Sequence, residues 1–290
     1  MASSREIRQR IKSVKNIQHI TKAMKMVAAA RLRRAQERAD FSKPFALKIK
    51  EMLANVVELE NSSSHPLLEL REVKNVVYYV IGADKGLAGA YTSNVVKLAV
   101  AELNAHDNAH LITVGRKVKE YFSRRNYEIR ESFEGFSEKP EYHNAVEVAQ
   151  SMAQKYISGE FDEINIVYSQ FRSAISHKPV IVKVLPVEPP SSSETETTNA
   201  SSKNHTEYIF EPSPAETLKM LVPRYLETVI YAAFMQAAAS ELGARMAAMS
   251  SATDNSSEII ANLTLHYNKV RQASITREIT EIVGGAEALK

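Results

Sequence analysis

Ile7-Arg-Gln-Arg-Ile11-Lys-Ser-Val14-Lys-Asn-Ile17-Gln-His-Ile20-Thr-Lys-Ala-Met24-Lys-Met-Val27 returns an apolar residue in steps of three and four. Those steps line up one stripe along a helix. The stripe is narrow and the remaining faces are charged, which is the pattern of a coiled-coil seam rather than of a globular core helix. The helical pattern runs from about Ser4 to Leu59 without a glycine. Pro44 is its one proline and is expected to kink or break it locally. At about 1.5 Å per residue such a segment reaches on the order of 80 Å, more than a compact domain of this size needs.

A second long helical pattern runs from Pro214 to about Val283, with Pro223 near its start and Gly243 as an interior glycine. Its middle is rich in alanine, from Ala232 to Ala252, so another helix can approach closely. Larger residues return at Ile259, Ile260, Leu263, Tyr267, Val270, Ile275, Ile279 and Ile282. This helix could exceed roughly 100 Å. Two long helices with narrow stripes, at opposite ends of one chain, bury both stripes by pairing antiparallel. The C-terminal helix is the longer, so one end of it should protrude alone and need another partner.

Between them the period changes. Asn61 to Pro66 is a loop by composition. Val76–Ile81, Leu111–Val114, Ile164–Tyr168 and Val180–Val184 read as strands, with helices at about Ser93–Leu103, Arg116–Phe122 and Tyr142–Ile157. Alternation on this scale implies a small open α/β sheet, Rossmann-like, flanked by helices. Pro189 to Thr206 is rich in Ser, Thr, Glu and Asn and too poor in apolar surface to offset its ordering entropy, so it reads as a flexible excursion. Tyr208 to Pro212 reads as a short extended piece. The expected organisation is an N-terminal coiled-coil helix over 1–60, a globular α/β domain over 61–212 containing the excursion 189–206, and a C-terminal coiled-coil helix over 213–290.

The 290 residues contain no cysteine, which excludes disulfides, thiolate metal sites and thiol nucleophiles. The net charge is only +3, but the first forty residues are strongly basic. No segment reaches the roughly 18 apolar residues of a membrane span. The basic amphipathic start also suits a transit peptide, but the helical pattern runs past position 50 without a break, so it reads as mature structure.

Candidate sites are few. Gly82-Ala-Asp-Lys-Gly86-Leu-Ala-Gly89 follows a strand, but its spacing is neither G-x-G-x-x-G nor a P-loop. A tight strand-to-helix connection is the plainer reading, with a nucleotide-using enzyme as the alternative. The eight histidines show no metal spacing, and no G-x-S-x-G elbow or acid/base pair stands out. The basic N-terminal stripe has three readings: a solvated face, a nucleic-acid contact, or a surface for acidic segments of a protein partner. Composition does not choose between them.

Longer motifs add to this. Glu6-Ile-Arg-Gln-Arg-Ile11 and Ile20-Thr-Lys-Ala-Met24-Lys-Met-Val-Ala-Ala29 closely resemble the opening of the gamma subunit family of F-type ATP synthases. Gly82 to Tyr91 is similar to that family's central loop. Tyr208 to Pro212, Pro223 to Leu226, Arg245 to Met249, Ala252 to Asn255 and Tyr267 to Thr276 resemble its C-terminal helix and the approach to it. The resemblance spans nearly the whole chain; the excursion is the main departure. It implies a non-catalytic central-stalk rotor that couples a proton-driven membrane ring to ATP synthesis or hydrolysis at catalytic beta subunits. The implied partners are the alpha3-beta3 ring, the epsilon subunit and the membrane c-ring. No cofactor, metal, nucleic acid or direct small-molecule ligand is implied. Chloroplast members carry a cysteine pair for thiol control, and this chain is expected to lack that switch. By resemblance, Met24, Arg271, Gln272, Thr276 and Glu281 match positions that meet the catalytic ring. Tyr208, Phe210 and Glu211 match the foot that contacts the membrane ring. The implied location is peripheral, on the cytoplasmic side of a bacterial plasma membrane, an expectation resting on a leaderless Met1.

Overall fold

A computed structural model describes residues 4–59, 65–106, 108–174, 176–188 and 213–288. The excursion 189–206 and the expected extended piece at Tyr208 to Pro212 lie outside the described residues. The described elements run α1 (Ser4–Leu59), a 3-10 turn (Pro66–Leu68), β1 (Val76–Ile81), α2 (Tyr91–Ala105), β2 (Ala109–Val114), α3 (Arg116–Ser123), β3 (Ile129–Phe133), α4 (Tyr142–Ile157), β4 (Glu163–Phe171), β5 (His177–Leu185) and α5 (Pro214–Ala288). They fall into two compact units, one of residues 1–29 with 245–290 and one of residues 30–244. Each long helix contributes to both.

In the larger unit, five strands lie in the order β3-β2-β1-β4-β5. β1 pairs parallel with β2 and β4, and β2 parallel with β3; β5 returns antiparallel along β4. All six residues of β1 are buried, as a central strand covered on both faces requires. The strand period of two divides them. Val77, Tyr79 and Ile81 face a core that includes Val148 and Met152 of α4, Leu53 and Val56 of α1, and Leu226 and Ile230 of α5. Val76, Tyr78 and Val80 face a second core with Val95 and Val96 of α2 and Val118 and Phe122 of α3. The sheet is thus wound on both sides, as the alternation implied. Close packing of α5 rests on small residues. A Cβ on Gly243 would stand 3.1 Å from the Ala174 carbonyl oxygen, Ser240 donates to the Ser169 carbonyl at 2.8 Å, and the Gln236 amide oxygen accepts from Phe171 N at 3.1 Å.

β3 has no counterpart in the sequence reading. Ile-Arg-Glu-Ser-Phe carries two charges in five residues, and as an edge strand it is only half-buried, so it lacks the apolar run that betrays a central strand. α1 also continues unbroken through Pro44, contrary to a local break; the proline ring is on an exposed face.

In the smaller unit, α1 and α5 lie antiparallel. Gln18 bonds Ser257 at 2.7 Å, the Thr21 and Thr253 hydroxyls meet at 2.8 Å, and Lys25 bonds Ser250 at 2.9 Å. Residue numbers rise on one helix as they fall on the other. The seam differs from the apolar stripe. Ile17, Ile20 and Val27 are more than half exposed. The covered line runs Ile7, Ile11, Val14, Gln18, Thr21 and Ala28, then continues in the larger unit through Leu32 and Ala35. That is a heptad spacing, and it passes through polar residues because they hydrogen-bond across the seam. Polar rungs fix register at modest energetic cost. Each hydroxyl also lies near a carbonyl of its own helix, Thr21 near Gln18 and Thr253 near Met249, so one donates across the seam and the other to its own helix. Replacing both with valine should therefore change chemical-denaturation stability by less than about 1 kcal/mol, since matched apolar replacements leave no orphaned partner. A loss of more than twice that would make the rungs a principal source of stability instead.

Candidate functional site

Three loops meet at the carboxyl ends of the parallel strands, where a doubly wound sheet ordinarily holds its ligand. Gly82 closes β1, and Leu87 and Gly89 take positive φ of 65° and 57° before α2 begins at Tyr91. The glycine loop is therefore the strand-to-helix connection. Its Asp84 reaches across the neighbouring loops. One carboxylate oxygen accepts from Arg116 N at 3.0 Å, at the start of α3. The other accepts from Gly135 N at 3.0 Å and Ser137 N at 2.9 Å, in the β3–α4 loop. Asp84 N in turn donates to the Ser137 hydroxyl at 2.9 Å, and Lys117 N donates to the Ala83 carbonyl at 2.9 Å. Burial pushes the Asp84 carboxyl up, but the hydrogen bonds from Ser137, Arg116 and Gly135 together outweigh it and hold it below the ordinary carboxylate range.

Outside the loops an open groove of about 480 Å³ is lined by Asp84, Lys85, Arg116, Gly135, Ser137 and Glu138, among others, whereas the inner part of the crevice is closed by the chain itself. Phe136, Phe234, Tyr91 and Pro140 close around it, leaving about 10 Å³, room for one water at most. The amides at the start of α3 that could greet a phosphate are already occupied by Asp84 and Ala83. Among the described residues no group of three or more His, Asp or Glu is placed to hold a metal ion. None of the described helices is long and apolar enough to cross a membrane.

The candidate contact surface lies in the smaller unit. Carried on at the pitch of its three rungs, the seam sets Ser4 opposite about residue 271. From there on, among the described residues, every residue of 271–286 is exposed. Ile275, Ile279, Ile282 and Val283 are 47–71% exposed and share one side of this run by the helical period. Arg271, Gln272 and Thr276 flank that stripe, and Glu281 faces away from it. Met24 sits half-buried on α1 beside the seam. Tyr208, Phe210 and Glu211 lie outside the described residues. In the basic run of α1, Arg33 pairs with Glu37 and Lys43 with Asp40 along the helix, both in solvent. Asp84 was not singled out in the sequence, although an Asp three residues after a buried strand and inside a glycine loop is a recognisable loop-bonding position.

The model of the family described as ATP synthase matches residues 3–289. The ATP synthase gamma chain of Desulforamulus reducens is 49% identical over 290 residues, with the whole of both chains covered. The chain belongs to the ATP synthase gamma chain family. The gamma chain of Pelotomaculum thermopropionicum is 46% identical, again over the whole of both. Among solved structures, a chain of the Euglena gracilis mitochondrial ATP synthase matches with a TM-score of 0.69 at 18% identity, covering 99% of this chain and 94% of that one. A chain of the Tetrahymena thermophila mitochondrial ATP synthase central stalk and c-ring matches with a TM-score of 0.62 at 24% identity, covering 80% and 99%. At these identities the likeness is one of fold, and it agrees with two long helices joined to a mixed sheet.

Proposed function

We propose that this chain is the central-stalk rotor of an F-type ATP synthase and performs no chemistry of its own. The observation that carries this is the unpaired run 271–286 of α5, exposed on every side yet bearing an apolar stripe. Helices in proteins take most of their stability from packing an apolar face, and the apolar stripe of this run is left uncovered among the described residues, so it calls for a surround. A sleeve formed by an alpha3-beta3 ring supplies one. Few fixed ion pairs stand on this run, so no single angle is locked. Arg271, Gln272, Thr276 and Glu281, with Met24, are the contacts proposed for the ring, and Tyr208, Phe210 and Glu211 those for the membrane c-ring. The epsilon subunit would dock on the globular unit.

Rotation of the c-ring then turns the shaft as a rigid body and drives the three catalytic sites through different affinities. Asp84, which already takes the Arg116, Gly135 and Ser137 amides at the strand ends, supports a subunit that takes no nucleotide there. The complex would sit on the cytoplasmic face of a bacterial plasma membrane, with this subunit peripheral to it.

Reconstitution tests the reading. Adding the chain to purified alpha and beta subunits should yield an assembled ring with ATPase activity, and a probe fixed to the globular unit should rotate during hydrolysis. An inert mixture, or tight ATP binding by the isolated chain in a titration, would overturn it.

A further inference from the structure

The larger unit grips α1 at two levels. At the lower one Ile49, Leu53 and Val56 are buried in the core shared with the sheet. At the upper one Leu32 and Ala35 are buried. Between them, residues 36–48 include none that is buried, and this stretch contains Pro44. Thirteen residues of helix span roughly 20 Å. At the upper level α1 borders an open groove of about 370 Å³, to which it contributes Arg31, Arg34, Ala35 and Arg38, facing Glu138 and Met235 among others. Apolar contact at the upper level is therefore thin, resting on one leucine and one alanine.

A carboxylate reinforces it. Glu138, in the β3–α4 loop, forms an ion pair with Arg31 of α1 and a second, at 3.1 Å, with Lys85 of the glycine loop. Its side chain is only 12% exposed, whereas Arg31 and Lys85 are about half in solvent. A shielded carboxylate between two cations holds more firmly than an exposed pair. The loop bearing Glu138 is itself pinned, because Asp84 bonds Gly135 N and Ser137 N immediately before it. A continuous chain of polar contacts thus runs from the strand ends to the long helix.

We propose that Glu138 is a positioning residue for torque transmission: it clasps Arg31 and Lys85 so that α1 cannot swing off the globular unit at its upper level under load. This rests on the rotor reading above. An α1 held at its upper level by Leu32 and Ala35 alone would yield by bending along residues 36–48 before passing force on.

The test uses the membrane-reconstituted complex carrying this chain, spin-labelled through Arg33→Cys and His143→Cys, both exposed positions. With Glu138 intact the label distance should be single and narrow. In E138Q a longer population should grow about tenfold, and proton pumping per ATP hydrolysed should fall while unloaded hydrolysis is retained. The full reversal, Glu138→Arg with Arg31→Glu and Lys85→Glu, should restore both the narrow distance and the pumping ratio. That ratio does not depend on how much complex assembles, so a merely structural defect leaves it unchanged. An unchanged distance in E138Q overturns the clasp. A broadened distance with undiminished pumping overturns its part in transmission. If the chain with Glu138 intact fails to support pumping at all, it is the rotor reading that falls, not the clasp.

Discussion

Substituting Gly115 with alanine should cost this protein about 3 kcal/mol or more, from two separable causes. Gly115 joins β2 to α3 with φ +110° and ψ 133°, a conformation essentially closed to residues with a Cβ. A Cβ there would also lie 2.4 Å from the Gly82 carbonyl oxygen and 2.8 Å from its carbon. Both are backbone atoms at the end of β1, held by Gly82 N donating to the Val114 carbonyl at 2.8 Å, so neither can move aside alone. Two other glycines divide the effect. Gly135 has φ +97° but open space around its missing side chain, so Gly135→Ala should show strain alone, about 1 kcal/mol. Gly82 lies outside the left-handed region, but its added Cβ would meet Val118 Cγ2 at 2.2 Å. Gly82→Ala should therefore be partly rescued by Val118→Ala, and Gly115→Ala should not. Thermal and urea unfolding of the three variants and the double checks the ranking. Gly115→Ala within error of Gly135→Ala would show that the two loops do not approach as described.

Those glycines show where the sequence was legible and where it was not. The helix Tyr142–Ile157 could be bounded because its apolar residues repeat with the helical period, and the strand Val76–Ile81 because it is an unbroken run of β-branched and aromatic residues. The unpaired end of α5 followed from comparing two helix lengths. The coiled-coil seam was harder. Ile17, Ile20 and Val27 continue the apolar rhythm, yet the covered positions are Gln18 and Thr21, since a hydrogen-bonded polar rung packs as well as an apolar one. An apolar pattern cannot distinguish residues buried within the chain from residues left for a partner. The partners of Glu138 and Asp84 were invisible for another reason. They lie 107 and 32 or more residues away, and only the folded loops bring them together.

Asp84→Asn should be the second most damaging of these changes, at about 2 kcal/mol, and its cost should depend on pH. The carboxylate accepts three backbone hydrogen bonds from two loops. An asparagine keeps one accepting oxygen but turns an NH2 group toward the remaining donors, leaving at least one amide of Arg116, Gly135 or Ser137 without its partner. The hydrogen bonds hold the folded carboxyl below its ordinary value, so the folded state binds its proton less readily than the unfolded chain does. Stability from Asp84 is then fully present above the unfolded value of about 4, and it is lost as pH falls through the lower folded value. Urea unfolding of the parent and Asp84→Asn proteins should differ by a constant amount from neutral pH down to about pH 5, and the gap should close below about pH 4. Asparagine does not titrate there, so the variant supplies its own baseline for every other carboxylate. A gap that stayed constant down to acid unfolding would mean that the three amides are satisfied by something other than the Asp84 charge.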